Sequence, residues 1–120
     1  MNIEKNDRGS GTGLVAAALV VGCLMAGLAG LAGSYLTSVQ QVRAAADLTA
    51  LAAAQAQADG GDACAQAAKT AADNDVKLDE CHLTGDWIDF VADVSVSRKF
   101  QMAVLSADIK SEAYAGLLSR

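Results

Sequence analysis

Residues 14–33 read LVAAALVVGCLMAGLAGLAG, and this apolar tract decides how the rest of the sequence is interpreted. It contains no charge, amide or hydroxyl group. Because a helix of about 20 apolar residues crosses the hydrocarbon core of a bilayer, the tract predicts a transmembrane helix. A buried core helix does not fit, since the other residues could not surround an apolar helix on every side.

A cleaved secretory signal is the alternative, with Gly30 and Ala32 preceding a cut before Gly33. The apolar region of a signal usually spans about 7 to 15 residues, so the length of this tract favours a retained anchor. Lys5 and Arg8 precede the tract. Since positive residues stay on the cytoplasmic side, we expect a single-pass protein of the cell membrane with a cytoplasmic N-terminus (residues 1–10).

Small residues recur at every fourth position in and just after the apolar tract. They are Ala18, Gly22, Ala26, Gly30 and Ser34. This series, the small-residue ridge, lets another helix approach closely and predicts packing with partner helices in the membrane. An alanine-rich helix also produces such a series by chance, and that alternative stays open.

Helical periodicity continues past the tract without a breaker until Gly60 and Gly61. We expect a transmembrane helix over residues 11–36 and its extracytoplasmic continuation over 37–58. From Thr12 to Ala58, at 1.5 Å for each residue, such a helix would be roughly 70 Å long. It would therefore extend well beyond the hydrocarbon core.

The remaining residues, 59–120, predict a small α+β domain. Asp62 is an N-cap candidate for a second helix over 63–73, packed on the first. The period then changes to two, which indicates a half-buried strand. Its buried face is predicted to contain Ile88, Phe90, Ala92, Val94 and Val96.

Two further strands are predicted around that one. Residues 80–84 form a candidate hairpin partner, with Gly85 and Asp86 as a two-residue connection. Alternation near residues 109–115 suggests a third strand, although a helix also fits. Residues 97–106 resemble a loop whose apolar side chains form either a buried edge or an exposed contact patch. The expected fold class is α+β, with a long N-terminal helix, a short helix and an antiparallel sheet of two to three strands.

Two cysteines are predicted to form a disulfide. Cys64 lies on the second helix and Cys81 at the start of the hairpin, and an oxidising compartment makes a bond between them the default expectation. Adding His82 gives three potential metal ligands, which do not complete a four-ligand zinc site. Adjacent residues of a strand also point to opposite faces, so Cys81 and His82 do not suggest a nucleophile and its base.

Composition and charge exclude several classes of function. The chain has a net charge of -5, and the acidic excess lies after the apolar tract. That part of the chain has no basic patch that would bind the phosphate backbone of a nucleic acid or the headgroups of anionic lipids. No glycine-rich phosphate loop follows a strand. The carboxylates are dispersed, as on a solvated face. We therefore expect no nucleic acid, small-molecule substrate, cofactor, metal or catalytic residue.

The order of motifs resembles the TadE-like pseudopilin family of tight-adherence (Tad/Flp) pilus systems, in its actinobacterial branch. The resemblance rests on DRGS at residues 7–10, the apolar tract, AAADLTALAAA at 44–54, two cysteines and the alanine-rich segment at 113–116. It implies a minor pilin or assembly factor without chemistry of its own. The partners would be other pilin-like subunits, bound through the N-terminal helix, and membrane lipid.

Members of that family are often cut by a prepilin peptidase after a glycine, which here would separate Gly9 from Ser10. The family also has a glutamate five residues further on, and this chain has Leu14 there. The departure puts both cleavage and pilin-style docking in question. Two other interpretations stay open: a secreted, disulfide-stabilised binding protein that starts at Gly33, and a single-pass adaptor of a secretion or cell-envelope complex.

Overall fold

The computed structural model describes the backbone of residues 3–118 and the side chains of residues 11–118. Its elements are α1 (Ile3–Ala58), α2 (Ala63–Asp73), β1 (Lys77–Gly85), β2 (Phe90–Met102) and β3 (Leu105–Leu117). The predicted α+β fold class is confirmed, with three strands in the sheet. The chain divides into an N-terminal unit that ends at Leu36 and a head unit that begins at Thr37.

Helix α1 ends where the sequence predicts. Gly60 adopts a left-handed conformation with φ of 78°, and its N–H donates to the Gln57 carbonyl at 3.1 Å. The Gly61 N–H donates to the Ala56 carbonyl at 2.8 Å. These two bonds form a Schellman motif, which satisfies the last carbonyls of the helix.

The start of α1 differs from the prediction. The helix begins at Ile3 rather than near Thr12. The glycines at 9, 11 and 13 each lower helix propensity by about 1 kcal/mol relative to alanine, but they do not remove a backbone donor as proline would. A glycine inside a helix therefore lowers its propensity without ending it.

Helix α2 has the predicted cap and a narrow buried face. The Asp62 carboxylate accepts a hydrogen bond from the Ala65 N–H at 3.1 Å. Ala63, Ala67 and Ala71 are buried, and their spacing of four residues places them on one face of the helix. The chain leaves the helix at Asn74, whose N–H bonds back to Thr70 and Ala71.

The sheet is antiparallel, with strand order β1-β2-β3. On β2, Phe90, Ala92, Val94 and Val96 are buried, which confirms the predicted period-two face for these four residues. The register of β1 against β2 shifts between Leu78 and Glu80. An extra residue in one strand of a pair increases the twist of that strand and bends it. The shift is therefore expected to bend β1 near its first residues.

The predicted first hairpin has two errors. The two-residue connection at Gly85 and Asp86 is wrong, because β1 continues through Gly85, which pairs with Phe90. Residues 86–89 form the connection, closed by the Asp86 N–H donating to the Asp89 carbonyl at 2.7 Å. Ile88 therefore lies outside the strand and is 72% exposed. The apolar alternation used to predict the strand continues into the turn. Residues there do not pair with a neighbouring strand, so alternation does not place their side chains on a buried face.

The loop predicted over residues 97–106 is absent. β2 extends to Met102, β3 begins at Leu105, and the two pair directly, so Ala103 and Val104 form a two-residue connection. The predicted third strand is confirmed and is longer than expected. Phe100 is partly buried against the core, whereas Val104 is 98% exposed. The segment therefore has a partly buried residue at Phe100 and an exposed one at Val104.

The core of the head unit is made largely of alanine. On α1 the buried residues include Ala46, Ala50 and Ala53, which share one helix face with Val42 and Thr49. The Thr49 hydroxyl donates to the Ala45 carbonyl at 2.7 Å, which satisfies its buried polar group. Small side chains allow the helix backbones to lie close to the sheet, so few bulky residues are needed to fill the space.

We expect Ala67→Leu to destabilise the head unit by about 1–3 kcal/mol, because added methylene groups overpack a well-filled core. Ala67 is fully buried on α2. The free energy of opening can be measured by amide hydrogen exchange of β2 in the detergent-solubilised chain. Ala68→Leu, at an exposed position of the same helix, is the matched control, and an equal loss in both variants would contradict the packing argument.

Candidate functional site

The apolar tract lies within a helix that is long and apolar enough to cross a membrane, and none of its most apolar 18 residues is buried. Leu14 is 70% exposed, and Val20, Leu24 and Leu28 are about as exposed. Fully burying such a side chain is worth about 1.5–3 kcal/mol relative to leaving it in water. Exposure of these side chains to water is therefore unfavourable, which is consistent with a helix that could span a membrane.

The small-residue ridge is open to an approaching helix. Ala18, Gly22, Ala26 and Gly30 are exposed, and a Cβ placed on Gly22 or Gly30 would meet no atom within 4 Å. Ser34 is partly buried, and its hydroxyl donates to the Gly30 carbonyl at 3.0 Å. Ser34 has the one polar side chain of the ridge, and its hydroxyl is hydrogen-bonded within the helix. The other ridge residues are glycine and alanine, so the ridge is a shallow channel on the helix surface.

The predicted disulfide is present and joins α2 to β1. Cys64 and Cys81 are bonded, with Cα atoms 5.8 Å apart and a sequence separation of 17 residues. Cys81 packs against the core between its strand neighbours. The bond holds the short helix on the face of the sheet that also receives α1, and it restricts the unfolded chain.

Replacing both cysteines, Cys64→Ala with Cys81→Ala, is expected to cost the head unit roughly 3 kcal/mol, the chain-entropy value for a loop of this length. Urea unfolding of the detergent-solubilised chain, followed by hydrogen exchange of β1 and β2, measures the loss. Cys23→Ser is the control, because Cys23 is exposed and free. A double variant as stable as the control would show that the disulfide contributes nothing.

An arginine that the sequence analysis overlooked ties three segments of the head unit together. The Arg98 guanidinium donates to the Asp75 carbonyl at 3.0 Å and to the Asn74 carbonyl at 2.9 Å. It also donates to the Gln41 side-chain oxygen on α1 at 3.1 Å. Arg98 continues the alternation of Val94 and Val96, and that spacing could have placed it on the helix-facing side of β2.

An open groove of about 590 Å³ lies between the C-terminal part of α1 and strand β3. Leu51, Ala54 and Ala58 line one side, and residues 114–117 line the other. β3 is an edge strand. The groove has mostly apolar walls and contains no cluster of polar groups that would orient a small molecule.

The outer face of the sheet is polar and carries charges of both signs. Lys77, Lys99 and Lys110 lie beside Asp79 and Asp108. The negative charge of Asp93 on β2, followed by that of Glu112 on β3, raises the pKa of the exposed Tyr114 hydroxyl, because both carboxylates oppose formation of the phenolate. This face has the character of a solvated surface.

The other candidates for chemistry do not come together. His82 lies on the exposed outer face, 4.0 Å from the Glu80 carboxylate, while Cys81 is in the disulfide. Within residues 11–118, no group of three His, Cys, Asp or Glu side chains could hold a metal ion. The candidate cleavage position, between Gly9 and Ser10, lies outside the residues whose side chains the structure describes, although its backbone is helical.

Comparison of the chain with family models, curated proteins and solved structures gives no match. The features that bear on function are therefore those of the molecule itself: one apolar helix that could span a membrane, a disulfide-bonded α+β head unit, and exposed apolar surface on both units.

Proposed function

We propose that this protein is a structural subunit of a membrane-anchored assembly, a pseudopilin or minor pilin of the tight-adherence type. It is held by one membrane helix with a cytoplasmic N-terminus, and the head unit lies outside the cytoplasm. The protein packs with other pilin-like subunits through its N-terminal helix and carries out no reaction.

The observation that carries this proposal is the continuity of α1. The helix passes from the exposed apolar tract into the head unit without a break and ends at Ala58, and its residues from Val42 to Ala54 contribute to the core there. An anchor joined to its domain by a flexible linker would show a loop between the two. A continuous helix that serves both as anchor and as core element is what a subunit that packs side by side with its neighbours requires.

The chemistry of the helix surface supports packing with other helices. In hydrocarbon, apolar side chains gain little by leaving lipid, so helices associate through close van der Waals contact at small residues. Gly22 and Gly30 offer that contact without any clash in the monomer. The absence of a carboxylate at Leu14 removes a buried charge that could pair with a neighbour's amino group. Docking would then depend on shape rather than on an ion pair.

Membrane retention separates this function from that of a secreted binding protein. We expect intact-mass spectrometry without reductant, on membrane and medium fractions of the native host, to find the disulfide-bonded chain in the membrane fraction. Its N-terminus should be Met1, or Ser10 if a prepilin peptidase acts. A species in the medium that starts at Gly33 would refute the anchored subunit and establish the secreted protein.

The ridge makes a separate prediction about assembly. Gly22→Leu and Gly30→Leu should each reduce co-purification with partner pilins from detergent-solubilised membranes, because a bulky side chain on the ridge separates the helix backbones. Membrane insertion should persist, since each change makes the tract more apolar.

Gly27→Leu is the matched control, because Gly27 lies in the same tract, off the ridge, and also has no neighbour within 4 Å of an added Cβ. Equal recovery of partners with all three variants would refute packing through the ridge. If the ridge variants co-purify normally while the protein stays in the membrane, the single-pass adaptor becomes the better description.

A further inference from the structure

The outer side of β3 is an open edge of the sheet, because no other strand of residues 11–118 pairs with it. β3 pairs with β2 over its whole length, from Leu105 to Leu117, without a register shift. The other edge strand, β1, does contain a shift, and such irregularities protect an edge from further pairing. The chain also has no proline to interrupt β3. A long, regular edge of this kind can accept one more strand.

The turn before β3 determines which of its backbone groups face the open edge. Ala103 and Val104 form a two-residue connection, so Met102 and Leu105 are the hydrogen-bonded pair that closes the hairpin. Hydrogen-bonded positions alternate along an antiparallel pair. The backbone N–H and C=O groups of the odd-numbered residues of β3 therefore point to β2. Those of the even-numbered residues point to the open edge.

The charged side chains of β3 alternate in sign along one face of the strand. Asp108, Lys110 and Glu112 occupy even-numbered, exposed positions. If a second β3 pairs antiparallel about a two-fold axis at Ser111, Lys110 of each copy lies opposite Glu112 of the other. Opposite charges across a strand pair stabilise it, and like charges destabilise it. Pairing of β3 with itself about Ser111 is therefore favoured by complementary charge on both sides of the axis.

Other registers lose this complementarity or shorten the pair. A shift of two residues in one direction places Lys110 opposite its own copy, and in the other direction it places Glu112 opposite its own copy, so like charges meet. A shift of four residues can place Asp108 opposite Lys110, but it leaves residues 114–117 unpaired. The register centred on Ser111 uses all of β3, and the charge pattern selects it.

The same register brings two exposed apolar features together. By alternation, Leu105 and Leu117 belong to the face of β3 that includes the buried Ile109 and Ala113. Leu105 is 60% exposed and Leu117 is 52% exposed, and Leu117 lines the groove beside α1. In the pair, Leu105 of each copy lies opposite Leu117 of the other. The hairpin end of one copy then borders the groove of the other, which removes apolar surface from water in both.

We propose that the open edge of β3 is a homodimer interface, in which two copies of this chain pair their β3 strands about a two-fold axis at Ser111. The pairing joins two three-stranded sheets into one. Because the axis reverses the strand, the two head units run in opposite directions. The contact therefore joins copies that meet head to head, it is separate from parallel packing through the small-residue ridge, and it does not rest on the proposed function.

Cysteine cross-linking of the purified, detergent-solubilised full chain tests the register, in a Cys23→Ser background that removes the free thiol. Ser111→Cys places two thiols across the axis, where the Cβ atoms of opposed residues lie about 4.5–5.5 Å apart. We expect mild oxidation to convert most of this variant to a covalent dimer on non-reducing gels. Intact mass confirms that the Cys64–Cys81 bond is retained in each chain.

Ser106→Cys is the matched control, because Ser106 lies on the same strand and is more exposed than Ser111. In the proposed register, Ser106 of one copy lies roughly 33 Å along the strand from Ser106 of the other. The control should therefore remain monomeric. Equal cross-linking of the two variants would indicate random collision and overturn the pairing, and so would failure of Ser111→Cys to cross-link.

Charge reversal provides a second test that needs no added cysteine. Lys110→Glu should weaken dimerisation about tenfold in sedimentation equilibrium in detergent, because like charges then lie opposite each other on both sides of the axis. Combining it with Glu112→Lys exchanges the charges and should restore the wild-type affinity. Hydrogen exchange of β2 verifies that each variant is folded.

The outcomes separate this interface from the ridge and from other occupants of the edge. A wild-type chain that stays monomeric at all concentrations overturns the homodimer and leaves the edge to a segment of another protein. A dimer that Gly22→Leu weakens and Lys110→Glu does not is held by the ridge, which also overturns the proposal. Neither result changes whether the chain is retained in the membrane, so the proposed function is tested separately.

Discussion

The packing of two helices and one face of the sheet into a single core is the constraint on which the head unit depends. The buried face of each helix is mostly alanine, and the buried side chains of β2 fill the remaining space. Two tethers then hold the arrangement, the disulfide from α2 to β1 and the Arg98 hydrogen bonds to the end of α2 and to α1. A core with so few bulky side chains buries little apolar area in each contact. The disulfide and the Arg98 hydrogen bonds therefore contribute a larger share of the stability than they would in a domain with a larger core.

Periodicity predicted the elements, while the turns limited what the sequence could reveal. The 3.6 period and the glycine pair fixed the end of α1, and the alternation from Phe90 to Val96 identified the central strand. The Ala103–Val104 connection was missed because neither residue is a turn former, so the stretch resembled a loop. Arg98 was missed because its partners are carbonyls distant in sequence, which no local pattern reveals.

The two kinds of exposed apolar surface carry different information. On the tract, exposed apolar residues surround a helix that is long and apolar enough to span a membrane. On the head unit, exposed large apolar residues lie in the groove beside β3, at the ends of the hairpins and on α1 at Leu48. The composition predicted the first surface directly. The exposed apolar surface of the head unit depends on which strand positions face outward. Those positions follow from the register of the strands, which the sequence alone does not specify.

The strand order bears on how the head unit forms. Each pair of neighbouring strands is also consecutive in the chain, and the disulfide spans only 17 residues, so most pairing is local and has a low entropic cost of closure. α1 lies first in sequence and offers its alanine face before any strand has been made. Once the head-unit part of α1 has formed, α2, β1, β2 and β3 can therefore be added in turn. The last hairpin then completes the fold, and until it forms, β2 is an unprotected edge open to mispairing.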